Sequence, residues 1–157
     1  MELAVKKDLK FKNKTVIVCL GSELRADDGL GPYVGENIKV KREGLKLINA
    51  FSVIENYVED IINYSPEKLI VVDAAFFGGK PGEIKILPEE NLSSCKMIST
   101  HSFPLEAILK IIKQDLPSLE IKILGVQPLD TGYSEGLSEP VKKAAQEIIK
   151  YFNKEFL

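Results

Sequence analysis

Four residues in this chain are of a type and spacing that could do chemistry. Two adjacent acids, Asp27 and Asp28, sit in the loop GSELRADDGLG (21–31), directly after the apolar run TVIVCL. A third acid, Asp73, ends the run KLIVVD, and the single histidine, His101, lies in STHSFPLEAIL. A glycine loop after the first strand of a doubly wound protein usually cradles phosphate, but adjacent carboxylates repel phosphate and attract cations, and this loop is not GxGxxG. Two carboxylates and one imidazole make a mixed oxygen and nitrogen donor set, which suits a divalent transition metal such as nickel or zinc better than magnesium. Three protein ligands would leave coordination positions open, as catalytic sites do. Each residue also has a plainer reading. One acid of the pair would serve as a helix N-cap, Asp27 being the better loop or cap residue. Asp73 would be a polar strand end, although an acid after LIVV is costly unless paired or bound. A lone histidine is often structural, but a helix N-terminus favours the neutral ring that ligates metals.

The elements that would position these residues alternate. Strands are expected over Thr15–Leu20, Leu45–Ala50, Lys68–Asp73, Glu83–Leu87 and Glu120–Val126. Helical spacing appears in Leu30, Val34 and Ile38, with Gly44 closing that region, and in Val58, Ile61 and Ile62, closed by Ser65-Pro66. It recurs in Leu105 to Ile112, with Pro104 in the first turn, and in Val141 to Phe152. This order predicts an α/β three-layer sandwich, a mainly parallel five-stranded sheet flanked by helices. The loop between the third and fourth strands is too short for a parallel crossover, so the fourth strand is expected antiparallel at an edge, in the order 2-1-3-5-4. The switch point then falls between the first and third strands, where Asp28 and Asp73 end up.

A length of 157 residues fits one domain, 1–157, with its core over about 15–152. The net charge of −2 gives no electrostatic case for nucleic acid or an anionic membrane. No apolar run approaches the roughly 20 residues of a membrane span, and the N-terminus alternates charge too closely for a signal peptide. Cys19 and Cys95 form no CxxC, and Cys19 falls in a strand pattern, so reduced thiols and a cytoplasmic protein are expected, by default a monomer. Arg25, Asp130, Tyr133 and Glu135 read as surface loop residues that could rim the crevice.

Taken together, GSELRADDGLGP, VVDA followed by PGEIKIL, THSFPLEAIL, and LGVQP resemble the hydrogenase maturation endopeptidases, in particular the branch serving formate-hydrogenlyase-type, energy-converting [NiFe] hydrogenases. The resemblance runs from about Thr15 to Phe152. It implies a five-stranded α/β fold and removal of a short C-terminal extension from the hydrogenase large-subunit precursor once nickel is in place. It implies metal contact by Asp28, Asp73 and His101, with the nickel belonging to the substrate and no organic cofactor. The family is grouped with aspartic-type endopeptidases, which makes Asp28 and Asp73 the candidate catalytic pair. A metal-polarised carbonyl or water is the other route. The sequence departs from the family pattern at Ser22, where asparagine is common, and at Ala50-Phe51, where paired glycines are common. That segment is expected near the bound tail, with Asn49 and Ser52 as candidate substrate-loop residues.

Two alternatives belong to other classes. A protein that recognises the nickel-loaded large subunit without cutting it would carry the same ligands. A Mg²⁺-dependent phosphoacceptor module would also place acids after the first and third strands. However, its acids directly follow the first strand, and LGVQPLD lacks the lysine such modules use.

Overall fold

The computed structural model describes residues 1–94, 96–97 and 104–157. His101 and Cys95 therefore lie outside the described residues. The strands are β1 (Thr15–Leu20), β2 (Leu45–Phe51), β3 (Lys68–Phe76), β4 (Ile84–Leu87), β5 (Lys96–Met97) and β6 (Glu120–Val126). The helices are α1 (Leu3–Asp8), α2 (Leu30–Asn37), α3 (Val58–Tyr64), α4 (Leu105–Asp115) and α5 (Glu139–Glu155).

The main sheet runs β2-β1-β3-β6-β4. β1 is parallel to β2 and β3, β3 is parallel to β6, and β4 closes the sheet antiparallel to β6, with Ile84 opposite Val126. This is the expected order, since the strand anticipated as the fifth is β6. β5 is a two-residue strand antiparallel to the end of β3, pairing Ala75 with Met97. Nothing in KM distinguishes it from loop, because its existence depends on a partner strand.

Strand alternation sends side chains to two separate cores. Ile70, Val72 and Ala74 of β3 pack with Leu30 and Val34 of α2 and with Val141, Ala145, Ile148 and Phe152 of α5. Leu69, Val71 and Ala75 pack on the other face with Ile61 of α3 and with Leu105, Ile108 and Ile112 of α4. Because both faces of β1 and β3 are covered, these strands are apolar throughout instead of alternating.

Several boundaries differ from expectation for physical reasons. β3 continues past Asp73 to Phe76, so Asp73 lies within the strand and pairs with Gly125 of β6. α2 stops at Asn37, where Ile38 turns extended (ψ 118°) and Asn153 of α5 accepts from the amides of Lys39 and Val40. Gly44 thus ends no helix; it is a left-handed residue (φ +82°) before β2, pressed against the Asn13 carbonyl. Ser65 does close α3, as a left-handed cap (φ +54°). Pro104 is the N-cap of α4, one residue before its first turn.

A buried lysine fastens the bottom of the sheet. Lys68, at the start of β3, is only 2% exposed. Its Nζ donates to the carbonyls of Asp8 and Lys10, where α1 ends. The cation there meets the negative end of a short helix. Burial pulls its pKa below the usual lysine range, while nearby Glu120 opposes that shift. This clamp holds the N-terminal helix under the sheet, at the end remote from Asp28 and Asp73.

Candidate active site

Two glycines explain how the acidic loop folds back onto β1. Gly21 has φ +139°, and a Cβ there would lie 1.8 Å from the Asp28 carbonyl oxygen. A Cβ on Gly31 would lie 1.9 Å from the Leu20 carbonyl oxygen. The loop and the start of α2 therefore approach the strand end at distances only glycine permits. Between them, Ala26–Gly29 forms a 3₁₀ turn that packs against β3. The turn is held by the Asp28 amide donating to the Arg25 carbonyl at 3.0 Å. The Ser22 amide donates to Asp28 Oδ2, also at 3.0 Å, which fixes the carboxylate across the loop.

Asp28 and Asp73 are both completely buried. Asp73 shares its face of β3 with Val71 and Ala75 by alternation, and its Oδ1 accepts from the Ala74 amide at 2.9 Å. Its charge also reaches β1: burial, and after it the negative Asp73, pushes the Cys19 thiol up to about 12. Cys19 is thus a protonated core residue and no nucleophile at neutral pH. Two buried acids at the same end of adjacent parallel strands must have their charge met by donors, a shared proton or a cation. Among the described residues no group of three His, Cys, Asp or Glu comes together as a metal site. The structure therefore brings Asp28 and Asp73 to one end of adjacent strands, and His101 lies outside what it describes.

Asp27 has a different task from its neighbour. Its Oδ2 accepts from the amides of Leu129 (2.8 Å) and Asp130 (2.9 Å) and from the Ser138 hydroxyl (2.8 Å). Its Oδ1 accepts from the Ser138 amide at 2.7 Å. Ser138 is the N-cap of α5, so one wholly buried carboxylate ties the loop after β6 and the start of α5 to the turn carrying Asp28. The cap expected ahead of Leu30 is not formed; Asp27 instead holds Ser138, 111 residues away in sequence, by its amide and hydroxyl. Neither acid caps α2, which has no side-chain cap.

The other candidates fall around this centre. Asn49 lies under α2, donating to the Pro32 carbonyl at 3.4 Å, and Ser52 follows Phe51 at the end of β2. Arg25 lies 5.9 Å from the ring of the highly exposed Tyr133, and Asp130 bonds within its own loop to the Gly132 amide. Glu135 lines a cavity of about 480 Å³ beside the 3₁₀ turn, with Glu23, Glu36 and Tyr33. Desolvation, then the hydrogen-bonded Glu36 and the charge of Glu135, raise the Glu23 pKa there.

One positioning residue escaped sequence reasoning. Gln127, in LGVQP, is nearly buried, and its Oε1 accepts from the amides of Phe77 (2.9 Å) and Gly79 (3.2 Å). It fixes the loop that leaves the Asp73 strand. The available signal was a buried-strand run ending in an amide side chain.

Phe51 adopts φ +51° and Ala26 φ +47°, both left-handed without being glycine. Each costs on the order of 1–3 kcal/mol and persists only because its surroundings hold it. Phe51 follows a bulge: Cys19 pairs with Asn49 but Leu20 with Phe51, leaving Ala50 as the extra residue.

Comparison with known proteins bears on the whole chain. The family model described as HycI, hydrogenase maturation protease, matches residues 32–155. The hydrogenase 3 maturation protease of Escherichia coli K12 is 31% identical over 134 residues, 85% of each chain. The crystal structure of a [NiFe] hydrogenase maturation protease HycI from Thermococcus kodakarensis KOD1 superposes with a TM-score of 0.85 at 30% identity, covering 97% of both chains. The solution structure of the endopeptidase HycI from Escherichia coli gives 0.78 at 29% identity, covering 89% of both. With its acidic turn, its buried strand aspartate and a match over most of its length, this chain belongs to the HycI family of hydrogenase maturation proteases.

Proposed function

We propose that this protein is the endopeptidase that removes the C-terminal extension of a nickel-loaded [NiFe] hydrogenase large-subunit precursor, with Asp28, Asp73 and His101 reading the nickel carried by that substrate. The observation that carries the reading is the pair of wholly buried carboxylates at the switch point between β1 and β3, on a chain of this family. Buried acids there favour a cation presented by a partner, and a substrate-borne metal supplies it with its own ligands already attached. The histidine completes a donor set suited to nickel. Its part rests on its place before α4 in the sequence.

In the aspartic-type route we favour, one carboxylate takes a proton from water as its oxygen adds to the scissile carbonyl carbon. The other acid gives a proton to the departing amide nitrogen as the C–N bond breaks. Asp28 is held for this by the Ser22 amide, and Asp73 by the β3–β6 pairing. The single buried thiol described, Cys19, is compatible with a reducing cytoplasm.

The test is intact mass spectrometry of nickel-loaded and nickel-free precursor, incubated with wild type and with Asp28→Asn, Asp73→Asn and His101→Ala. Loss of a C-terminal peptide only from loaded precursor, and only with wild type, is the expected result. A precursor that binds wild type with nickel dependence but keeps its full mass would instead identify a non-cleaving recognition protein.

A further inference from the structure

The proposed function leaves one polar group of the acidic loop unexplained. Arg25 stands three residues before Asp28 and is half-buried, and its Nε is enclosed without a hydrogen-bond acceptor. An enclosed donor left unpaired is costly, and folded chains hold few of them. The backbone of the same residue is fully used. Its amide donates to the Ser22 carbonyl at 3.2 Å, and its carbonyl accepts from the Asp28 amide at 3.0 Å. Its guanidinium carbon lies 5.9 Å from the centre of the Tyr133 ring, and Tyr133 is 89% exposed. The surface around this pair is pinned by backbone bonds. The Ala26 amide donates to the Ser134 carbonyl at 2.8 Å, the Ser134 amide to the Leu24 carbonyl at 3.2 Å, and the Asp27 amide to the Asp130 carbonyl at 2.9 Å. These bonds join the loop after β1 to the loop after β6. Leu24 (67%) and Leu129 (61%) are exposed on the two joined loops. Exposed apolar side chains on a pinned surface, around an unpaired donor and next to the turn that carries Asp28, mark a place that a partner covers.

We propose that Arg25 receives a carboxylate of the precursor's C-terminal segment, pairing side-on through Nε and a terminal nitrogen. This inference rests on the endopeptidase reading and gives its substrate a charge requirement. The two oxygens of a carboxylate match two parallel N–H donors of a guanidinium, and the charges are complementary. The Tyr133 ring against the guanidinium holds the fork in place, and the exposed leucines exclude water from the pair once the segment is seated. The carboxylate belongs either to an Asp or Glu side chain of the segment or to its chain terminus; the chemistry at Arg25 is the same.

Arg25→Met separates this role from folding, since it keeps every backbone bond of the turn and deletes only the guanidinium donors. Because an unpaired enclosed donor goes with them, the melting temperature is expected to rise or to stay within about 3 °C of wild type. With nickel-loaded precursor, KM should rise about tenfold while kcat is held, the pattern of lost uniform binding. To find the carboxylate, the Asp and Glu residues of the precursor's C-terminal segment are replaced one at a time by Asn and Gln, and a further precursor carries an amidated C-terminus. One of these changes should cost wild type about tenfold and cost Arg25→Met nothing. A side-chain replacement with that pattern identifies an internal acid, and the amide identifies the terminus. Equal kinetics for wild type and Arg25→Met, or carboxylate changes that cost both proteins alike, would overturn the proposal. If wild type fails to cut at all, the endopeptidase reading falls, and affinity for the nickel-loaded precursor then decides the role of Arg25. A carboxylate change that weakens binding to wild type and not to Arg25→Met would keep it as a recognition residue, and the absence of any such change would remove it.

Discussion

Replacing Asp27 by alanine removes the acceptor for three backbone amides and one hydroxyl at 2.7–2.9 Å. Hydrogen bonds to a charged group contribute about 1.5–3 kcal/mol each in isolation, but four on one carboxylate are not additive. Stranding the amides of Leu129, Asp130 and Ser138 beside a cavity brings the expected loss to about 4 kcal/mol, near the top of the range for a single substitution. That is a large share of the ~5–15 kcal/mol typical of a domain. At about 2–4 °C per kcal/mol for a chain of this size, the melting temperature should fall by roughly 8–16 °C. Asp27→Asn keeps one acceptor oxygen but turns an NH₂ toward the remaining donors, so it should lose about half as much. Urea unfolding of the three proteins gives the free energies, and amide exchange at Leu129, Asp130 and Ser138 should accelerate before the core strands do. A loss below about 1 kcal/mol for Asp27→Ala, with unchanged exchange at those amides, would refute the idea that this carboxylate locks the site loops together.

Other consequences concern buried titratable groups of the cores and of the sheet's lower end. The thiol of Cys19 and the phenol of Tyr151 both titrate near 12 in the folded chain, above their ordinary values of 9.0 and 10.0. Raised values in these acids mean that the folded state holds its protons more tightly, so their stabilisation is complete below about pH 9 and is lost as pH rises toward 12. Unfolding monitored between pH 9 and 12 should show stability falling by up to about 1.4 kcal/mol per pH unit for each group, with Cys19→Ala removing its share. A curve unchanged by Cys19→Ala would contradict the assignment. Lys68→Met keeps much of the packing volume but leaves the Asp8 and Lys10 carbonyls without their buried donor. It should cost about 2 kcal/mol and expose residues 1–12 to limited proteolysis well before the rest. Equal protease resistance would show that α1 is held by its apolar contacts alone.

The sheet was legible because both faces of its central strands are buried. TVIVCL and EIKILGV are set by their own composition, and their observed limits match the expected ones. The strand order followed from chain economy, since the 77–83 connection cannot cross over. What the sequence hides depends on partners far along the chain. The extension of β3 beyond Asp73 requires β5 and β6 to pair with it. α1 has only six residues and is held by Lys68, which reads in sequence as an ordinary surface lysine. The buried acid Asp73 was legible because it stands against an apolar run. The division of labour between Asp27 and Asp28 was only half visible. Composition suggests that one caps the following helix, but neither does; Asp27 holds Ser138 instead, and no local pattern links the two. The same holds for Gln127, whose side-chain oxygen finds its two amide donors, Phe77 and Gly79, in the β3–β4 connection.

The central claim is that Asp28 and Asp73 act as one unit on a nickel-bearing polypeptide. Single-turnover cleavage of the loaded large-subunit precursor, followed by intact mass with Asp28→Asn, Asp73→Asn and the double variant, tests it most directly. Groups that act together lose nearly all activity when either is removed, and the second substitution then costs little more. The account predicts that each single variant is as inactive as the double, while all three remain folded. A single variant that cuts at the wild-type rate, or losses that multiply independently, would contradict it.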